Sequence, residues 1–183
     1  LEDAGFESVY VNELNNDALE SYLMNRDKDN PYLRERFNSN DVKTMISNKK
    51  YLSSLINDFK STYSLDVNSG DLTLLVGGPP CQGYSGIGHR RTYSVDKEQI
   101  PSNFLYQDMA YLINKLNPKI FLFENVRGLL SARWNTGGKK GEIWTDVRNT
   151  FDSLKNYQTS WVLVKAKDYG VPQNRPRVLF VGL

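Results

Sequence analysis

Runs of four or five adjacent apolar residues alternate along the chain with longer stretches in which apolar side chains return every three or four positions. A continuous apolar run suits a strand buried on both faces, and the longer period suits a helix with one face on a core. The alternation therefore predicts an α/β domain with a mainly parallel sheet. Glu7 to Val11 reads as a short first strand. Asn15 or Asn16 then caps a helix that runs to about Asn25, with Ala18, Leu19, Tyr22 and Leu23 on one face. From Arg26 to Gly70 the chain is polar and helix-prone. Met45, Ile46, Tyr51, Leu52, Leu55, Ile56 and Phe59 recur there at helical spacing, which predicts one or two amphipathic helices with loops. Leu72 to Val76 predicts a buried strand, Phe104 to Leu116 a helix stopped by Pro118, and Lys119 to Phe123 a second buried strand. Gly141 to Tyr157 reads as a further helix. Trp161 to Ala166 and Val178 to Val181 read as two last strands, which the short loop between them pairs antiparallel. No internal repeat, low-complexity segment or domain boundary interrupts this order.

Composition adds bounds. A chain of 183 residues with 39% hydrophobic and 12% aromatic side chains can build a core as one domain. No apolar stretch approaches the roughly 18 residues needed to span a bilayer, and the N-terminus has no basic-then-apolar signal pattern, so a soluble, cytoplasmic protein without membrane contact is expected. One Cys and one His argue against a disulfide framework and against any site built from several Cys and His metal ligands. The net charge of +2 is too mild to point to nucleic acid. Its distribution says more: His89-Arg90-Arg91, Lys139-Lys140 beside two glycines, and Arg175 with Arg177 in one short loop.

The one thiol lies in Gly77-Gly78-Pro79-Pro80-Cys81-Gln82-Gly83-Tyr84-Ser85, directly after a predicted strand. Two prolines set the backbone ahead of the sulfur, and flanking glycines let a ligand come close to the main chain, a setting that suits a nucleophile better than a core filler. Each predicted parallel strand is followed by a polar or reactive residue: Glu13, Cys81 and Glu124. Ligands of open α/β sheets bind outside the carboxyl ends of the strands, so these three are expected to share a crevice. A carboxylate such as Glu13 can accept from both hydroxyls of a ribose.

Pro79 to Ser85, the triplet Glu124-Asn125-Val126, and Tyr169-Gly170-Val171-Pro172-Gln173-Asn174-Arg175-Pro176-Arg177 together resemble the conserved blocks of the DNA cytosine-5 methyltransferases. The resemblance implies a Rossmann-like, S-adenosylmethionine-dependent methyltransferase fold with a final antiparallel strand pair. It also implies methyl transfer to carbon 5 of cytosine in double-stranded DNA by a bacterial modification enzyme. Cys81 matches the nucleophile that adds to carbon 6 of the base. Glu124 matches the acid that binds ring nitrogen 3 and the exocyclic amine. Arg177 matches the residue that holds oxygen 2, with Arg175 its neighbour in that pocket. For the cofactor, Glu13 matches the ribose ligand, Leu14 the apolar residue under the adenine, Asp41 and Val42 the pair that reads the adenine amine and covers its other face, and Pro80 and Leu105 positions lining the cofactor.

The same resemblance implies a loop over Gly83 to Asn103 that closes on DNA around a flipped base, with Ser102 where the family often has Arg. It aligns Leu1 just after the family's first, glycine-rich strand and Leu183 before the variable target-recognition domain. Residues 1–183 are thus expected to be a catalytic-domain fragment, monomeric, metal-free and incomplete at both ends. Two alternatives stay open. An RNA (tRNA) cytosine-5 methyltransferase would share every catalytic residue, and a non-catalytic DNA-binding homologue would be expected to have lost Cys81 or Glu124. A hydrolase pairing Cys81 with His89 lacks a third group to orient the imidazole.

Overall fold

The computed structural model describes residues 1–80 and 100–183, which divide into one unit over Leu1–Ser69 and a second over Gly70–Leu183. In the first, Asn15 caps α1 (Asn16–Met24), its Oδ1 accepting the Ala18 amide at 2.9 Å, and Leu19 and Leu23 are buried. The first strand, β1 (Val11–Asn12), starts later than the apolar pattern suggests. Residues 7–10 are tied down by side chains instead: the Asn30 amide donates to the Ser8 carbonyl, and the Tyr10 hydroxyl donates to Ser39 Oγ.

The polar stretch after α1 holds more structure than its periodicity shows. It carries α2 (Tyr32–Glu35), β2 (Asn38–Ser39), α3 (Val42–Ser47) and α4 (Lys49–Tyr63). β2 pairs in parallel with β1, Val11 opposite Asn38. Leu52, Leu55 and Phe59 form the buried stripe of α4, and Phe59 stacks on Phe37 with ring centroids 5.5 Å apart.

The second unit is built on a four-stranded sheet of order β3-β4-β6-β5, from β3 (Leu74–Gly77), β4 (Ile120–Val126), β5 (Thr159–Lys165) and β6 (Pro176–Gly182). β3 and β4 run parallel, and β6 lies antiparallel to both β4 and β5. The closing antiparallel pair is the one the short loop predicts. Because β6 inserts between β4 and β5, the sheet is mixed, with one parallel pairing among its three. Nor is β3 buried on both faces: Val76 is 44% exposed, and among the described residues β3 has a strand on one side only. Helices α5 (Leu105–Leu116) and α6 (Glu142–Asp152) connect the strands. α6 ends before Tyr157, where a turn buries Leu154 and sends the Tyr157 hydroxyl to the Pro118 carbonyl at 2.6 Å. Phe121, Phe123, Phe151 and Phe180 make the aromatic centre of the core. None of the described helices is long and apolar enough to cross a membrane.

Candidate active site

Glu124 does not follow its strand, as the apolar run suggests, but lies within it, because pairing with β6 carries β4 on to Val126. Glu124 stands opposite Leu179, and Val126 opposite Arg177. Glu124 and Arg177 are therefore diagonal neighbours on one face of the antiparallel ladder, within reach of long side chains. Arg177 Nε lies 2.5 Å from Glu124 Oε1, with side-chain exposures of 19% and 37%. The Nε–H makes no aligned hydrogen bond, so the contact is an ion pair, while Arg177 Nη1 donates to the Pro176 carbonyl at 2.9 Å. The second carboxylate oxygen faces the backbone of β3's exit: a Cβ on Gly78 would stand 3.4 Å from Glu124 Oε2.

On the other face of β4, the buried Asn125 ties the strand to the turn ahead of Cys81. Its Nδ2 donates to the Pro79 carbonyl at 3.1 Å, and its Oδ1 accepts the Val126 amide at 2.9 Å. The Pro79 carbonyl is thus satisfied by a side-chain amide. A cavity of about 10 Å³ is bounded by Pro79, Pro80, Asn103 and Asn125, so the chain that returns at Ile100 meets the same turn. Cys81 itself lies outside the described residues. The positioning role of Asn125 was missed from sequence, where its place in the Glu124-Asn125-Val126 block was a signal with no role attached.

The cofactor candidates of the first unit gather at the carboxyl end of its parallel pair. Glu13 follows β1 directly, its N–H donating to the Ser39 carbonyl at 3.1 Å and its Oε1 accepting the Asn15 amide at 2.8 Å. Asp41 follows β2 and caps α3, its Oδ1 accepting the Lys43 amide at 2.8 Å. Asn40 joins the two strand-end loops, reaching the Glu13 carbonyl at 3.3 Å and Asn16 Oδ1 at 2.7 Å. One oxygen of each carboxylate is thus engaged by a backbone amide. Leu14 is 73% exposed and Val42 half-buried. Two carboxylates beside an exposed apolar side chain fit a nucleoside, whose hydroxyls and amine donate and whose base stacks. In the second unit Pro80 is exposed, and Leu105 is half-buried at the start of α5. The Glu124–Arg177 pair does not include Arg175, whose exposed side chain stands in the turn before β6, closed by the Ala166 amide donating to the Arg175 carbonyl at 3.2 Å.

Among the described residues no three His, Cys, Asp or Glu side chains gather as a metal site. Residues 1–183 match the family model described as C-5 cytosine-specific DNA methylase. The Type II methyltransferase M.Bpa9945I of Bacillus paralicheniformis is 30% identical over 91% of this chain and 34% of its own length. M.BspRI of Lysinibacillus sphaericus, also a Type II methyltransferase, is 31% identical over 97% of this chain and 33% of its own. The chain thus spans about a third of the length of these curated relatives. A crystal structure described as a DNA modification methyltransferase encoded within a prophage (E. coli) superposes with a TM-score of 0.62 at 25% identity, covering 98% of this chain and 41% of that one. On this likeness and on its own α/β architecture, the chain belongs to the C-5 cytosine-specific DNA methylase family.

Proposed function

We propose that the full-length protein transfers a methyl group from S-adenosylmethionine to carbon 5 of cytosine in double-stranded DNA through a covalent bond between the Cys81 sulfur and carbon 6, as the modification enzyme of a bacterial restriction-modification system. The observation that carries this reading is the Glu124–Arg177 pair, held 2.5 Å apart beside the Gly78-Pro79-Pro80 turn that leads into Cys81. The likeness to Type II methyltransferases supports the biological setting.

Carbon 5 of cytosine is a poor nucleophile. Addition of the Cys81 thiolate to carbon 6 pushes the ring electrons toward nitrogen 3, where Glu124, which must be transiently protonated for this step, delivers a proton, and carbon 5 becomes enamine-like. Arg177 binds oxygen 2 and stabilises the charge that gathers on it. Once carbon 5 has taken the methyl group, loss of its proton to water returns that electron pair to the ring, the carbon–sulfur bond breaks to release the Cys81 thiolate, and the nitrogen 3 proton goes back to Glu124. Since these atoms are closed off in a stacked duplex, the base must first leave the helix. Glu13 would hold the cofactor ribose, Asp41 the adenine amine, and Leu14 and Val42 the two faces of the adenine, with Pro80 and Leu105 lining the site. S-adenosylmethionine, when bound, would supply the sulfonium methyl to carbon 5, its sulfur leaving as a neutral thioether.

Fluorine at carbon 5 cannot leave as a proton, so the test is adduct trapping. The full-length protein with S-adenosylmethionine and duplex DNA containing 5-fluorocytosine should form an adduct stable to denaturation, and Cys81→Ser should form none. An undiminished adduct in Cys81→Ser would place the nucleophile elsewhere. Adduct with 5-fluorocytosine-substituted transfer RNA and not with duplex DNA would place the substrate elsewhere.

A further inference from the structure

Neither the base pocket nor the cofactor residues use Lys139 and Lys140, the basic pair that the sequence sets beside two glycines. Residues 132–141 contain Arg133, Lys139 and Lys140 and no acidic residue. All three cations are exposed, and none takes part in an ion pair among the described residues.

The loop that carries them is held in shape. Glu142 Oε1 accepts the Trp134 amide at 2.6 Å, and its Oε2 accepts the Lys139 amide at 2.9 Å. The Gly141 amide closes the base of the loop on the Ala132 carbonyl at 3.2 Å. A Cβ on Gly138 would run into the Glu142 carboxylate. Trp134 anchors the loop from below: its Nε1 donates to Asp146 Oδ2 at 2.6 Å, and its ring stacks on Phe104 at 5.0 Å. The Glu142 carboxylate is therefore taken up by two backbone amides and pairs with none of the three cations.

Position supplies the second half of the argument. The loop leaves the carboxyl end of β4 through the short helical turn Arg127–Ser131, so it starts from the end of the sheet where β4 carries Glu124 beside Arg177. Phe104, on which Trp134 rests, directly follows Asn103, which bounds the small cavity with Pro79, Pro80 and Asn125. From these observations we infer that the loop 132–141 is a preformed contact for the phosphate backbone of duplex DNA beside the target cytosine. The inference rests on the DNA substrate proposed above. Cations on a loop already ordered by Glu142 and Trp134 meet phosphates without the ordering cost that a slack loop carries. Contacts of this kind position a duplex and carry no sequence information.

The experiment is the salt dependence of duplex binding by full-length wild type, Lys139→Ala/Lys140→Ala and Lys139→Arg/Lys140→Arg. Alanine keeps both backbone amides of the clamp, so the loop stays folded. The double alanine variant should reduce the slope of log affinity against log salt by about 2, since each phosphate contact contributes about 0.9. It should also weaken binding by the same factor on sites of any sequence, and the arginine variant should keep the wild-type slope. An unchanged slope in a variant whose wild type binds duplex DNA would overturn the role of this loop and leave the methyltransferase reading standing. A wild type that binds transfer RNA but not duplex DNA, and traps no 5-fluorocytosine duplex, would overturn both.

Discussion

Glu124 and Arg177 meet because their strands are antiparallel and their register sets them two residues out of step on one face. A carboxyl beside a guanidinium is held in one orientation while its second oxygen stays free toward Gly78. Two substitutions separate the roles of the pair. Glu124→Gln keeps shape and hydrogen-bonding capacity but cannot deliver a proton, so it should slow methyl transfer about 100-fold or more while DNA affinity changes little. Arg177→Ala should damage both, because it removes a contact to the base in the ground state and leaves the Glu124 charge without its partner. Single-turnover methylation and DNA binding on the full-length variants measure the two effects. Methyl transfer by Glu124→Gln at the wild-type rate would leave Glu124 a structural residue of β4.

Between elements, single side chains replace ladder hydrogen bonds wherever a strand gives out. β3 runs out into the Pro79-Pro80 turn, where the Asn125 side chain on β4 donates to the Pro79 carbonyl. Removing that amide strands two groups at once, the Pro79 carbonyl and the Val126 amide. Asn125→Ala should therefore cost about 1–3 kcal/mol, read as a lower urea midpoint with an unchanged slope. It should also slow adduct formation, because the turn carries Cys81; a wild-type midpoint and a wild-type trapping rate would show that the turn holds without it. Asn40 does the equivalent work in the first unit, joining the loops after β1 and β2. Glu13 and Asp41 also serve a second purpose there, each fixing a backbone amide near the start of a helix.

At the scale of the whole molecule, one buried phenol and three half-buried ones link stability to alkaline pH. Burial pushes the Tyr10 hydroxyl well above its ordinary range, and raises those of Tyr63, Tyr106 and Tyr157. An unfolded tyrosine titrates near pH 10, whereas these four keep their protons to higher pH in the folded state. Their contribution is thus fully present below about pH 10 and is lost as pH rises above it, because the unfolded chain releases protons first. The denaturant midpoint should fall from about pH 10 upward, and part of the tyrosinate absorbance should appear only with unfolding. Ionisation of every tyrosine near pH 10, with the fold intact, would contradict this.

Local chemistry made much of the molecule legible. Asn15 as a cap, Pro118 as a stop, the alternating periods and the proline-fixed turn before Cys81 are each set by a few neighbouring residues, so they can be read without knowing what packs where. The three blocks around Cys81, Glu124 and Arg177 marked the family in the same way. Tertiary structure decided what depends on pairing between distant segments. β2 is two polar residues with no apolar period, made a strand by β1. The extent of β4, and with it the place of Glu124 inside the strand, is set by β6, which inserts beside it. Asn125 finds its partner 46 residues away. Pattern along a chain records which face of an element is apolar, but a register is chosen by the partner strand, and that partner is known only once the chain has closed on itself.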